Sequence, residues 1–309
     1  MKEYFTLQSK DNSTALHCIK WLPQSNQEPK GILQLVHGMA EYVERYDAFA
    51  NYLTEQNILV VGHDHLGHGA SLAANKPNLG FFAKEQSPNI LIEDVYQVTT
   101  RIQAEYPEIP YFILGHSMGS FVLRNYLGRY SDHLAGAIIM GTGAHRSELA
   151  LALPLLKLLN KTQPYRPNKL IDNLAFGNFH KAFPEKRTTF DWLSKSQKNV
   201  DAYIADQKLG FLFTNNGFYT LFTLMSLATS TDWATKIQQQ LPVLVISGAQ
   251  DPVGEFGKGP TTVARELTEA GLEDVTLQLY EELRHEILNE TESPLVMSDI
   301  YYWLTKHLN

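Results

Sequence analysis

Cysteine is almost missing from this chain: Cys18 is the only one in 309 residues. A lone cysteine cannot close an internal disulfide, so no disulfide framework stands in for a core and an oxidising compartment is not implied. Cys18 lies in an alternating segment, residues 15–22, where it reads as a small buried side chain rather than a reactive thiol. No apolar run reaches the roughly 18 residues of a membrane-spanning helix. The opening Met1-Lys2-Glu3-Tyr4-Phe5 has neither the apolar segment nor the cleavage site of a secretory leader, and a cytoplasmic protein is the expectation. An excess of positive charge is missing too. The formal net charge is −7 and no Lys/Arg cluster occurs, which argues against nucleic acid and against electrostatic docking on anionic lipid.

What is present suits a large α/β enzyme, as one domain or as a domain with an insertion. Hydrophobic residues make up 44% of the chain and charged ones 19%, enough apolar material to bury a substantial core. Two alternating stretches, residues 4–8 and 15–22, flank Asp11-Asn12-Ser13 and predict an antiparallel hairpin. Continuous apolar runs at 32–36, 58–61, 111–114, 134–140 and 243–246 have the character of parallel strands buried on both faces, and a last strand is expected at 275–280. Helical patterns at 42–54 and 90–105 separate the first three runs, which signals βαβ units in a doubly wound sheet. Pro294 introduces a closing helix at 295–308.

Between Gly143 and Asp232 the strand rhythm stops. Residues 144–232 read as a mainly helical cap over the C-terminal edge of the sheet, with 1–143 and 233–309 forming the core; ligands of open α/β sheets bind at that edge. Residues 149–159 are the most apolar part of the cap. They read as a packed helix or as a lip that meets lipid or lines an acyl tunnel, since apolar residues fill more than one face.

The pentapeptide Gly115-His116-Ser117-Met118-Gly119 closes one strand-like run and opens a helix-like stretch at 120–130. A GxSxG sequence between strand and helix is a nucleophile elbow, a turn tight enough to need glycine on both sides of an exposed serine. Serine needs a base, normally a histidine oriented by a buried carboxylate, and on this architecture the acid precedes the histidine. His285 directly follows the last strand, whereas His307 sits near the chain end on a helix. Asp251 follows the 243–246 strand at a loop position, with Glu255 as the nearest competitor. Two N–H donors should face the oxyanion: Met118, directly after the serine, and Met39 in the loop His37-Gly38-Met39-Ala40-Glu41. His37 and His116 read as structural. His63-Asp64-His65-Leu66-Gly67-His68-Gly69 matches no standard zinc spacing and reads as a structural loop, ahead of substrate contact or metal.

Taken together, residues 37–41, 64–71, 115–119, Asp251-Pro252-Val253 and Arg284-His285-Glu286 resemble the α/β-hydrolase family of monoacylglycerol lipases and bacterial lysophospholipases. Gly38-Met39-Ala40-Glu41 with Arg45-Tyr46 is the more specific part of the likeness, which runs from about Gly31 to the end. The resemblance implies an α/β-hydrolase fold: a mostly parallel eight-stranded sheet flanked by helices, with a helical cap. It implies Ser117, Asp251 and His285 as triad, no metal, no organic cofactor, and fatty-acyl esters of glycerol or glycerophospholipids as substrates. Glu41 and Arg45 would lie near the alcohol end; their spacing equally permits an i, i+4 ion pair at a helix start.

The function expected is therefore a serine carboxylic-ester hydrolase acting through an acyl-enzyme, its only lipid contact transient and through the cap. Two rivals remain. A proline-iminopeptidase-like enzyme would need an acidic cluster, and Glu148, Asp172, Glu185, Asp191, Asp201 and Asp206 do not visibly form one. A non-catalytic binding protein on this fold would be expected to have lost a triad member.

Overall fold

The computed structural model describes residues 1–24, 28–73, 78–185 and 187–308. In chain order the strands are β1 (Lys2–Gln8), β2 (Ala15–Trp21), β3 (Gly31–Val36), β4 (Ile58–His63), β5 (Tyr111–His116), β6 (Gly136–Met140), β7 (Val243–Gly248) and β8 (Val275–Tyr280). The helices are α1 (Asp47–Glu55), α2 (Ser87–Glu105), α3 (Met118–Tyr130), α4 (Glu148–Thr162), α5 (Lys169–Ala175), α6 (Gln197–Ala205), α7 (Asn215–Ala228), α8 (Lys258–Glu269) and α9 (Ser293–Thr305). One sheet takes the order β1-β2-β4-β3-β5-β6-β7-β8. β2 runs antiparallel to both its neighbours, and every pairing from β4 onward is parallel.

Pleating divides each central strand between two apolar layers, because successive side chains point to opposite faces. Leu33, Val60, Phe112, Ile138 and Leu244 pack with Phe49 and Leu53 of α1 and with Val296, Ile300 and Trp303 of α9. Ile32, Val61, Ile113, Ile139 and Val245 face the other way, onto α2, α3 and α8. Buried polar side chains break the pattern at Gln34, His63, His116 and Ser247. Gln34, fully buried in β3, donates to Val95 O and accepts from the hydroxyls of Thr99 and Tyr111, so its amide nitrogen and oxygen both have partners. Among the described residues no helix is long and apolar enough to cross a membrane.

Local differences from the sequence reading have local causes. The helix expected at 42–54 starts as a 3-10 turn, Val43–Tyr46, before α1, with the Val43 N–H capped by the Asp64 carboxylate. β6 begins at Gly136 rather than 134. Helix α8 has no counterpart in the sequence reading, which names no element between 246 and 275. Gly257 sits at positive φ as the N-terminal cap, and Pro260 falls in the first turn, where its missing N–H costs nothing.

The stretch between β6 and β7 carries α4 to α7, a 3-10 turn at Phe179–Ala182, and a single isolated bridge, Pro167 to Thr214. Arg124, buried on α3, holds both of its ends. The guanidinium donates to Gly143 O at 2.8 Å and lies 4.1 Å from the ring centre of Trp233. Trp233 donates in turn to Glu266 of α8.

Candidate active site

The site lies where the parallel strands end. β5 runs into Ser117, whose backbone is forced to φ 53 and ψ −119 before α3 begins. For a residue with a side chain that conformation costs about 1–3 kcal/mol and survives only where its surroundings impose it. They do so here. Ser117 N–H donates to Met140 O, while Ser117 O accepts both the N–H and the hydroxyl of Ser120. Gly119 allows the approach: a Cβ there would sit 2.1 Å from Val36 O.

His285 and Asp251 meet beyond the neighbouring strands. Asp251 leaves the end of β7 fully buried, its Oδ2 2.8 Å from His285 Nδ1 and its Oδ1 accepting the N–H of Val253. Nδ1 therefore carries a proton, leaving Nε2 as the free lone pair, the tautomer of a general base. Gly248 is required for this meeting, since a Cβ would fall 2.1 Å from Leu283 O. Glu255, the competitor, is at the surface, 3.9 Å from Arg146.

Ser117 and His285 line one cavity of about 490 Å³, together with Met39, Met118 and an apolar wall that includes Phe121, Phe176, Phe190, Phe211 and Leu221. Around the serine, backbone donors are sorted. Gly38 N–H is taken by Glu41 and Ala40 N–H by His68, but no acceptor among the described residues takes Met39 N–H or Met118 N–H. An oxyanion hole requires two such unclaimed donors beside the nucleophile.

The histidine-rich loops behind Met39 are scaffolding. His37 Nε2 accepts the N–H of His65, and its Nδ1–H donates to Gly38 O. His68 Nε2 accepts the N–H of Ala40, and its Nδ1–H donates to Leu66 O. Both rings must be neutral to accept, and burial pushes them down accordingly, His37 to about 3 and His68 to about 4. No group of three or more His, Cys, Asp or Glu arranged to hold a metal occurs among the described residues. Cys18 is fully buried, and burial pushes its thiol up to about 12.

Glu41 and Arg45 form the i, i+4 ion pair at 2.9 Å, and Arg45 also forks onto Glu286. Glu41 lines the cavity; Arg45 is not among its lining residues.

Sequence reasoning missed three contributors. The Trp192 ring lies 5.1 Å from the His285 ring at a tilt of 43°, an approach unreadable in a sequence that places α6, α7, β7, α8 and β8 between them. The segment around Trp192 is stitched to the His285 loop: Arg284 donates to Asp191 O, Glu286 N–H to Leu193 O, and Ser194 Oγ to Glu290. His116, read as packing, bonds to Glu41 at 3.1 Å and to His285 O at 3.3 Å.

Residues 27–292 match the family model Hydrolase_4, described as serine aminopeptidase, S33. A monoacylglycerol lipase of Mycolicibacterium smegmatis is 27% identical over 93% of this chain and 92% of its own length. The monoglyceride lipase of Homo sapiens is 28% identical over 93% of this chain and 84% of its own. Among solved structures, a thermostable carboxyl esterase from Bacillus coagulans in complex with glycerol superposes with a TM-score of 0.93 at 27% identity, covering 100% of this chain and 99% of that one.

Proposed function

The chain belongs to the Hydrolase_4 family (serine aminopeptidase, S33) and is a carboxylic-ester hydrolase of the α/β-hydrolase fold; from that premise we propose that it cleaves fatty-acyl monoesters of glycerol through an acyl-enzyme on Ser117. The observation that carries the reading is the shared cavity: a strained serine and a carboxylate-oriented histidine at the foot of an apolar chamber. In this reading His285 Nε2 removes the Ser117 proton as Oγ attacks the ester carbonyl, and Asp251 stabilises the imidazolium. Met39 and Met118 N–H hold the oxyanion, each contributing about 3 kcal/mol to the transition state. His285 then protonates the departing alcohol and activates the water that releases the acid.

Residues 144–232 act as the cap in this proposal, sheltering the acyl chain against their aromatic side chains. Leu151, Leu155 and Leu158 recur along one face of α4, and Leu170 and Leu174 along α5, all exposed. An apolar face on the cap suits brief contact with the lipid surface from which a monoacylglycerol is drawn. Vesicle co-sedimentation of the wild type against Leu151→Ser/Leu155→Ser tests this; equal binding by both would remove the idea.

The family description also names aminopeptidases, whose substrates bring a free amine. The insertion's carboxylates are mostly engaged: Glu185 with Arg284, Asp191 with Thr188, Asp201 with Arg187 and Asp206 with Tyr42. A monoacylglycerol series of increasing chain length, assayed beside lysophosphatidylcholine and a prolyl-naphthylamide, is the deciding experiment. Turnover of the amide above the glycerol esters would overturn the proposal. Undiminished ester turnover by Ser117→Ala would overturn the triad.

A further inference from the structure

Four ionisable side chains, buried Glu41, His116 and Glu286 with the largely shielded Arg45, form a ring that closes through the His285 carbonyl and leaves the reacting groups free. Glu41 Oε1 accepts from Gly38 N–H, from the Tyr46 hydroxyl at 3.0 Å and from His116 Nδ1 at 3.1 Å; Oε2 accepts from Arg45. Arg45 forks onto Glu286, the residue after His285. His116 Nε2 closes the ring on the carbonyl of His285 at 3.3 Å. Three loops that must hold register to well under an ångström are thereby tied together: the Met39 loop, the Ser117 elbow and the His285 loop.

The two partners of His116 fix its protonation. A backbone carbonyl can only accept, so Nε2 must carry a hydrogen. Glu41 already receives Gly38, Tyr46 and Arg45 as an ionised acceptor, so Nδ1 must carry one as well. We propose that His116 is held as an imidazolium and is a positioning residue, bracing the oxyanion loop through Glu41 and the base loop through the His285 carbonyl.

Charge accounting supports this. With His116 protonated the ring holds two cations and two anions; with it neutral, one carboxylate is left uncompensated in the interior. Burial alone would lower the His116 pKa, but the hydrogen bond and charge of Glu41, with Glu286 behind, raise it above the ordinary histidine value. The groups facing it are Glu41, Tyr46 and Arg45 from the stretch after β3, and the His285 ring at 4.8 Å with Glu286 from the loop after β8. Asp251 stands beyond His285, and Tyr203 of α6 lies against Arg45.

The inference rests on reading His285 as the base, and the test separates the two. Nitrogen NMR of the histidine rings in the wild-type enzyme, assigned by the signal missing from His116→Gln, should give the doubly protonated signature at His116 at about pH 7, where an unperturbed histidine is mostly neutral. A neutral His116 at about pH 7 would overturn the proposal. His116→Gln, uncharged and able to reach only one partner, should lose about 10- to 100-fold in kcat with little change in KM. Turnover within about twofold of wild type would also overturn it. Should His116→Gln fail to fold, His116→Asn provides the assignment and the wild-type spectrum still decides. Full turnover by His285→Ala would sink the triad itself, whereas an inactive His285→Ala beside a fully active His116→Gln would sink only the positioning role.

Discussion

Arg45 grips Glu286 through two parallel hydrogen bonds of 2.8 and 2.9 Å, across 241 positions of sequence. Both side chains are nearly shielded from water, and the same guanidinium serves Glu41. Removing one member of a buried pair leaves an uncompensated charge, so Arg45→Met should lower the unfolding free energy by about 3–5 kcal/mol in urea titration. Arg45→Lys should recover only part, since an ammonium cannot fork. A loss below about 1 kcal/mol would mean that the pair behaves as a surface contact.

Strain at Ser117 predicts an opposition between activity and stability. Its positive φ is tolerable to glycine, so Ser117→Gly should abolish ester turnover and raise stability by about 1 kcal/mol, after allowing for glycine's freedom in the unfolded chain. An unchanged or lower urea midpoint would show that the elbow is not strained.

Acid should unfold this protein through its buried histidines. Burial depresses His37 to about 3 and His63 and His68 to about 4, with His65 also well below its ordinary value. Below about pH 6.5 the unfolded chain binds these protons and the folded chain does not, so stability is full above that pH and falls as pH drops toward about 4. Asp94, raised to about 6 by burial, works the other way and offsets part of the slope. Neither ring nitrogen of His63 has a hydrogen-bond partner, so His63→Leu should shallow the slope by about one proton. A pH-independent unfolding free energy across that window would contradict the neutral-ring reading.

Arg124 is expected to act as a clasp for the stretch between β6 and β7. Arg124→Met should leave the elbow in place but free the carbonyl of Gly143 and the ring of Trp233. Hydrogen exchange should then quicken around both residues, with a stability loss of about 1–3 kcal/mol. Unaltered exchange at the two ends would show that they are held by other contacts.

Much of the sheet was readable because burial on both faces writes itself as continuous Val, Ile and Leu. β3, β4, β5 and β7 appear within a few residues of the expected places, and the half-exposed edge strand β8 was readable from its position and alternation instead. The elbow was readable for a similar reason: a turn that excludes Cβ atoms demands glycines at fixed spacing. α8 has no counterpart among the expected elements: Gly259 and Pro260 are poor helix formers, and only position within the first turn decides their effect.

Local sequence determined the residue types and the order of serine, acid and histidine, since both follow from strand ends and tight turns. Only the tertiary structure decided which nitrogen of His285 meets Asp251, that Trp192 covers its ring, and that Glu41, Arg45, Glu286 and His116 share one ring of charge. Such pairings depend on distances between segments far apart along the chain. A polar side chain looks the same in sequence whether it ends in water or beside an opposite charge.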